Sequence, residues 1–337
     1  MARAPAPPPP SGVESSHKLI SFHENSQGGI TTVVEAVTRS PGKTEMRVLY
    51  SNGKFQGDDS GGEEGAAQAG FALLPSLFTM GFDRALLVGL GTGHGAWTLK
   101  RTGYSDVDIA EFLPGIVFAA ARQFRHLNGA VLEDPSVHLA LEDGRNLLLT
   151  RRSAGYDLIS IQQTSIWFAG ATNLYSREFY QLADQRLKTG GVLEQRVQFH
   201  HISPAEIASA VASMRTVFPY VSLWYFGRQG MMIASHHPQV FDPGRLEKLV
   251  PVWAALNPGE DAASLAAKIA PAQVLSPPGV ERMLDELHPV INTDHNRWIE
   301  YSTPRYNSSA FDWTSFNLSR LAAFEPAAGA KVEARQR

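Results

Sequence analysis

Residues 85–103, ALLVGLGTGHGAWTLKRTG, constrain this chain more than any other stretch. The apolar run Ala85–Val88 has the pattern of a strand buried on both faces. Gly89, Gly91 and Gly93 follow at alternate positions, and Ala96–Arg101 reads as the start of a helix. Glycines at such a junction permit a tight turn and let the backbone approach a ligand, while the helix N-terminus supplies unpaired N–H groups. The turn therefore suits a nucleotide or nucleoside at the carboxyl end of a first parallel strand. A glycine-rich turn with no ligand is the alternative.

The rest of the chain continues that alternation. Strands are predicted at Val107–Glu111, Val137–Leu141, Tyr156–Ile161 and Val192–Phe199, with helices at Pro114–Phe124, Arg145–Thr150 and Ser176–Leu187 between them. Ser203-Pro204-Ala205-Glu206 combines an N-cap, a proline suited to the first turn and an acid, and predicts a helix to about Phe218. Val221–Phe226 and Gly230–Ser235 read as a closing pair of strands. The order implies a doubly wound, mostly parallel sheet with its ligand at the carboxyl ends of strands one to four.

Ahead of this lie the alternating runs Lys18–His23, Gly29–Thr38 and Glu45–Tyr50, punctuated by Gly28-Gly29, Pro41-Gly42 and Asn52-Gly53. They predict a small antiparallel β-sheet domain. Residues 57–66, GDDSGGEEGA, read as a solvated acidic connector, and Ala66–Met80 as an apolar helix. The expected division is a Pro-rich tail (1–17), the small sheet (18–65), the doubly wound domain with a helical extension (66–324) and a flexible tail (325–337). Residues 236–290 read as mostly helical, and INTDHNRWIEYSTPRYN either returns to the site or packs on it.

Composition narrows the chemistry. The 337 residues contain no cysteine, which excludes disulfides, thiolate catalysis and Cys-ligated zinc. A formal net charge of −3 argues against broad nucleic-acid binding. The longest apolar run, Ala69–Phe82, is broken by Pro75, so no membrane span is expected, and the start MARAPAPPPPSG lacks an apolar signal core. The expectation is a soluble, cytoplasmic protein.

Glu111 ends the second strand about twenty residues past the glycines, where a carboxylate can accept both ribose hydroxyls. Asp143-Gly144 ends the third, where Asp143 could accept from an adenine amino group or cap a helix. Candidate bases are Asp58, Asp59, Glu63, Glu64, His94, Tyr175 and the His200-His201 pair. For His94 an exposed loop position is the competing reading. Adjacent histidines on a strand point to opposite faces, so no metal site is expected.

The segments LYSNGKFQGDD, LLVGLGTG, IAEFLPGIVFAAARQF, LEDGRNLL and YDLISIQQTSIWFAGATNLYSREFYQLADQRLKTGGVL together resemble the spermidine synthases and other polyamine aminopropyltransferases, over about residues 18–235. The resemblance implies a Rossmann-like sheet of the class I S-adenosyl-L-methionine (AdoMet) transferase type. It also implies a donor substrate, AdoMet or decarboxylated AdoMet, no metal, a small-molecule acceptor and a possible homodimer. By the same resemblance Gln56, Glu111 and Asp143 bind the donor; with the turn residues Gly89, Gly91, Thr92, Gly93, Gly144 and with Gln162 they make up the candidate donor site, and Gln162, Gln163 and the candidate bases Tyr175 and His94 are the candidate catalytic residues.

Two departures from the family pattern matter. Thr92 stands where the family usually has an Asp in the glycine loop, and Gln162 where it has an Asp at the end of strand four. The second acid that often follows is replaced by Ser165-Ile166, and Trp167-Phe168 occupy the gate, where they either cover a sulfonium or pack in the core. Burying an ammonium without a carboxylate costs several kcal/mol. The sequence is therefore read as a spermidine-synthase-like transferase that releases methylthioadenosine but is not an ordinary spermidine synthase. Cyclisation or elimination within the donor is a variant of this reading. A methyltransferase and a non-catalytic AdoMet-binding homologue are the alternatives.

Overall fold

A computed structural model describes residues 15–326 apart from 26–28, 39–43, 152–154, 164–165, 167–169, 257–259 and 307–309. The Pro41-Gly42 turn, Ser165, Trp167, Phe168, most of the Pro-rich start and the chain after 326 lie outside the described residues.

Four strands, β1 (Ser15–Glu24), β2 (Ile30–Thr38), β3 (Thr44–Ser51) and β4 (Lys54–Asp58), form an antiparallel sheet in sequential order. Asn52 and Gly53 both take positive φ (49° and 75°), the geometry that closes a two-residue hairpin in register with strand twist. The next element corrects the sequence reading. The stretch 57–66 is not an open connector: α1 spans Gly62–Ser76 and carries Glu63 and Glu64 in its first turn, where carboxylates are favoured by the helix dipole. Pro75 lies in its last turn, and the helix stops short of Met80.

The larger sheet contains β5 (Arg84–Val88), β6 (Asp106–Ala110), β7 (Val137–Ala140), β8 (Tyr156–Ile161), β9 (Leu187–Val197), β10 (Tyr220–Phe226), β11 (Gln229–Ser235) and β12 (Gln273–Leu275). Their order is β12-β10-β11-β9-β8-β5-β6-β7. Strands β7, β6, β5, β8 and β9 run parallel, and β11, β10 and β12 extend the sheet antiparallel. Strand order reverses between β5 and β8, which opens the crevice where ligands bind in such sheets. Helices α2 (His94–Thr102), α3 (Pro114–Arg122), α4 (Gly144–Thr150), α5 (Arg177–Asp184) and α6 (Pro204–Arg215) connect the strands. Beyond them come α7 (Pro243–Leu256), α8 (Ala262–Ile269), α9 (Pro277–Leu287), α10 (Trp298–Ser302) and α11 (Trp313–Ala322).

Side-chain alternation divides the core. Ala85 and Leu87 pack with α1, α2 and α7 on one face, whereas Leu86 and Val88 pack with α4, α5 and α6 on the other. Several boundaries differ from expectation, among them the end of α5 at Asp184 rather than Leu187. α2 starts at His94 rather than Ala96, and β9 starts at Leu187 because Gly190, at φ 81°, and Gly191 let the strand shift register against β8. Within 236–290, mostly helical as expected, the short edge strand β12 was not legible.

The β10–β11 turn presses on α1. A methyl group at Gly227, whose φ is 56°, would lie 2.7 Å from Ala67 Cα and from the Glu63 carbonyl. Gly227→Ala is expected to cost about 2 kcal/mol from backbone strain and overpacking, read as a lowered urea midpoint.

Candidate functional site

Gly89, Gly91 and Gly93 all take positive φ (93°, 54° and 82°), and Gly93 caps α2. Asn128 holds the turn from behind, its amide donating to Thr92 O and Ala120 O at 2.9 Å each. Glu111 clips it from the side. One carboxylate oxygen accepts from Leu90 N at 3.0 Å within the turn, and the other from Leu113 N at 2.9 Å. Burial pushes the Glu111 pKa up, and these backbone donors pull against that shift. Each oxygen keeps a lone-pair direction for a further donor.

Asp143 is the N-cap of α4: its Oδ1 accepts from Arg145 N at 2.9 Å and Asn146 N at 3.1 Å, and the residue is exposed. Capping thus uses one of its oxygens. A side chain at Gly144 would collide with Val88 (Cγ2 at 2.9 Å), so glycine lets the α4 N-terminus close on the end of β5. From the small sheet, the Gln56 carbonyl comes within 3.9 Å of where a Gly91 Cβ would be. Gln56, the glycine turn, Glu111 and Asp143-Gly144 therefore gather at one edge of the crevice.

The acidic candidates separate sharply. Asp59 accepts from Arg47 N and pairs with His126, Asp58 accepts from Ser60, and Glu63 pairs with exposed Arg228. Glu64 instead faces the glycine turn. Its Oε1 accepts from Gln68 Nε2 at 2.9 Å, and Gln68 Oε1 accepts from Thr92 Oγ1 at 2.9 Å. A carboxyl on α1 is thus wired to the uncharged residue of the glycine turn. Desolvation raises its pKa above the usual carboxylate range.

His94 is not an exposed loop residue. It opens α2 at 2% exposure, neither ring nitrogen has a hydrogen-bond partner among the described residues, and desolvation lowers its pKa to about 4. Tyr175 is buried, donates its hydroxyl proton to the Arg196 carbonyl at 2.7 Å, and has its pKa raised by desolvation. That bond leaves it a structural tie rather than a poised base. His200 and His201 lie ring to ring at 5.6 Å, and no cluster of metal-binding side chains occurs among the described residues.

Gln162 and Gln163 follow β8. Gln162 Nε2 donates to Ser160 Oγ at 3.2 Å, and Ser160 donates to Glu194 at 2.6 Å. The Gln163 side-chain oxygen is buried without a hydrogen-bond partner among the described residues. Next to them, Arg196 on β9 directs Nη1 at the Gln163 carbonyl (3.4 Å). Sequence reasoning missed Gln68, Glu194 and Arg196. A signal existed for the last two, since the consecutive polar residues Glu194-Gln195-Arg196 interrupt an otherwise apolar buried strand. The C-terminal segment packs on the loop before α5: Asn292 donates to Tyr175 O, Arg145 pairs with Asp294, and Thr172 donates to Glu300.

Residues 86–227 match the family model described as the spermine/spermidine synthase domain. The chain is 32% identical over 149 residues to a polyamine aminopropyltransferase of Nitrosomonas europaea, covering 44% of this chain and 45% of the relative. It is 26% identical over 225 residues to polyamine aminopropyltransferase 2 of Pseudomonas aeruginosa, covering 61% and 63%. The matches thus span about half the length of these relatives. The spermidine synthase structure from Thermotoga maritima superposes with a TM-score of 0.57 at 16% identity, covering 80% of this chain and 88% of that one, a likeness of fold. A spermidine synthase in complex with the transition state analogue AdoDATO superposes equally well. No helix among the described residues is long and apolar enough to cross a membrane.

Proposed function

We propose that this protein transfers the aminopropyl-side group of a sulfonium nucleoside, AdoMet or its decarboxylated form, and releases methylthioadenosine. The observation that carries the reading is the Glu111 clip: a buried carboxylate tied to Leu90 N of the glycine turn, at the carboxyl end of β6, in a segment that matches the spermine/spermidine synthase domain. In this reading Glu111 accepts the ribose hydroxyls, Asp143 and Gly144 border the adenine, and Gln56 covers the nucleoside. Gln162 and Gln163 orient the reacting group, and Glu64 acts through Gln68 and Thr92 on the donor's amine end. His94 supports the turn in its neutral form.

Chemistry is an in-line displacement. The acceptor nitrogen's lone pair forms a bond to the carbon beside the sulfonium, the carbon–sulfur bond breaks, and its electron pair stays on sulfur as a neutral thioether. The new secondary ammonium loses its proton to water. Positioning supplies most of the acceleration, since the leaving group is built into the donor. With Thr92 and Gln162 uncharged, a polycationic acceptor lacks its counter-charge at these positions, which argues against ordinary spermidine synthesis.

Incubation with each donor, alone and with putrescine or 4-aminobutyrate as acceptor, followed by mass spectrometry of the nucleoside, is expected to give methylthioadenosine without stimulation by putrescine. S-adenosylhomocysteine would reassign the protein as a methyltransferase, and neither product above the no-enzyme rate would overturn catalysis. Gln162→Asp is expected to tighten putrescine binding about tenfold by restoring a charge partner. An unchanged affinity would remove the missing acid as the reason for excluding polyamines.

A further inference from the structure

Arg196 is 7% exposed near the carboxyl end of β9. Strand alternation puts it on the same face as Glu194, toward α1. Its Nε and Nη2 both donate to the Gln229 side-chain oxygen, at 3.1 and 2.6 Å, and Nη1 donates to the Gln163 carbonyl. All these acceptors are neutral. Glu64 and Glu194 lie within electrostatic reach without forming an ion pair with it.

A buried guanidinium without a carboxylate partner is costly, and its planar fork of donors suits a bidentate anion. Its place in the fold gives that cost a use. Gln163 N lies 3.7 Å from where a Gly89 Cβ would be, so Gln163 separates the glycine turn from Arg196. A nucleoside lying over β5, β6 and β7 points its reacting end toward β8 and β9. The unpartnered Gln163 side-chain oxygen adds a buried acceptor there, suited to an amine N–H.

We infer that Arg196 recognises a carboxylate, so that the reacting end of this site takes an amino-acid-like group rather than a polyamine. The inference rests on the sulfonium-nucleoside reading above. The carboxylate has two sources, the α-carboxylate of AdoMet or that of an acceptor carrying both an amine and a carboxylate.

Calorimetric titration of the full chain distinguishes them. The probes are methylthioadenosine, the pair AdoMet and decarboxylated AdoMet, and, with methylthioadenosine saturating, the pair 4-aminobutyrate and putrescine. In the wild type the carboxylate-bearing member of at least one pair is expected to bind ten times more tightly or better. The pair that shows the preference identifies the source. In Arg196→Met the preference is expected to fall within twofold while methylthioadenosine affinity stays within twofold of wild type. Gln229→Leu, which removes the acceptor orienting the guanidinium, is expected to lower the preference at least threefold and serves if the first variant does not fold.

Methylthioadenosine binding with no carboxylate preference in either pair overturns this inference alone. A preference that survives unchanged in the variants does the same. Failure of methylthioadenosine to bind the wild type overturns the nucleoside reading, and this inference with it.

Discussion

Glu111→Ala is expected to destabilise the fold by about 3 to 6 kcal/mol, because it removes two hydrogen bonds to a charged group, each worth about 1.5–3 kcal/mol. The lost partners are Leu90 N and Leu113 N, both in buried surroundings and both left without an acceptor. A domain of ordinary stability has only about 5–15 kcal/mol in total. The effect is therefore a large fall in urea midpoint. Glu111→Gln keeps one acceptor oxygen and should retain more of the stability, yet it presents an amide N–H where the second backbone donor points.

Methylthioadenosine titrated into the Gln variant is expected to bind about 10- to 100-fold more weakly, the loss of one charge-assisted hydrogen bond to ribose. A stable Ala variant would sink the clip, and an unchanged Kd in the Gln variant would sink the ribose role.

The second large effect is an acid limb set by His94. In the unfolded chain this imidazole titrates near its ordinary 6.5, whereas in the fold desolvation lowers it to about 4. Between those values the unfolded chain takes up a proton that the folded chain refuses, so stability falls as pH drops from about 7 toward 4 and levels off below that. Each pKa unit corresponds to about 1.4 kcal/mol, so the interval amounts to about 3 kcal/mol.

His94→Leu removes the titration and should flatten that limb, measured as unfolding free energy at pH 7, 6, 5 and 4.5. At pH 7.5 the variant should equal or exceed wild-type stability, since it also removes two buried ring nitrogens that have no partner. An acid limb of equal depth in wild type and variant would assign the sensitivity elsewhere. A variant that gains stability and loses methylthioadenosine binding would mark His94 as kept for the site rather than the fold.

Legibility in the sequence followed the range of the interaction. Gly89, Gly91 and Gly93 announced a turn because each needs a positive φ, and all three take it. Asn52-Gly53 announced its hairpin for the same reason, and Ser203-Pro204-Ala205-Glu206 announced a capping box, in which Ser203 N donates to Glu206. The stretch around Glu64 misled because its composition, glycine-rich and acidic, matches a solvated loop. Packing of the following apolar face carried the helix back to Gly62. His94 misled in the opposite sense, since nothing near it in sequence states that α1 covers it.

The amino-acid order by itself determined the local syntax of this protein: where strands alternate with helices, where the backbone must turn left-handed, and which ends are capped. Those features depend on φ preferences, side-chain period and hydrogen bonds a few residues long. Only the tertiary structure decided that Glu64 reaches Thr92 through Gln68, that Glu111 spends its oxygens on Leu90 and Leu113, and that Arg196 meets Gln163 without a carboxylate at its side. Partners that distant in sequence are chosen by how helices pack on the sheet, and the packing of many side chains at once leaves no short-range mark.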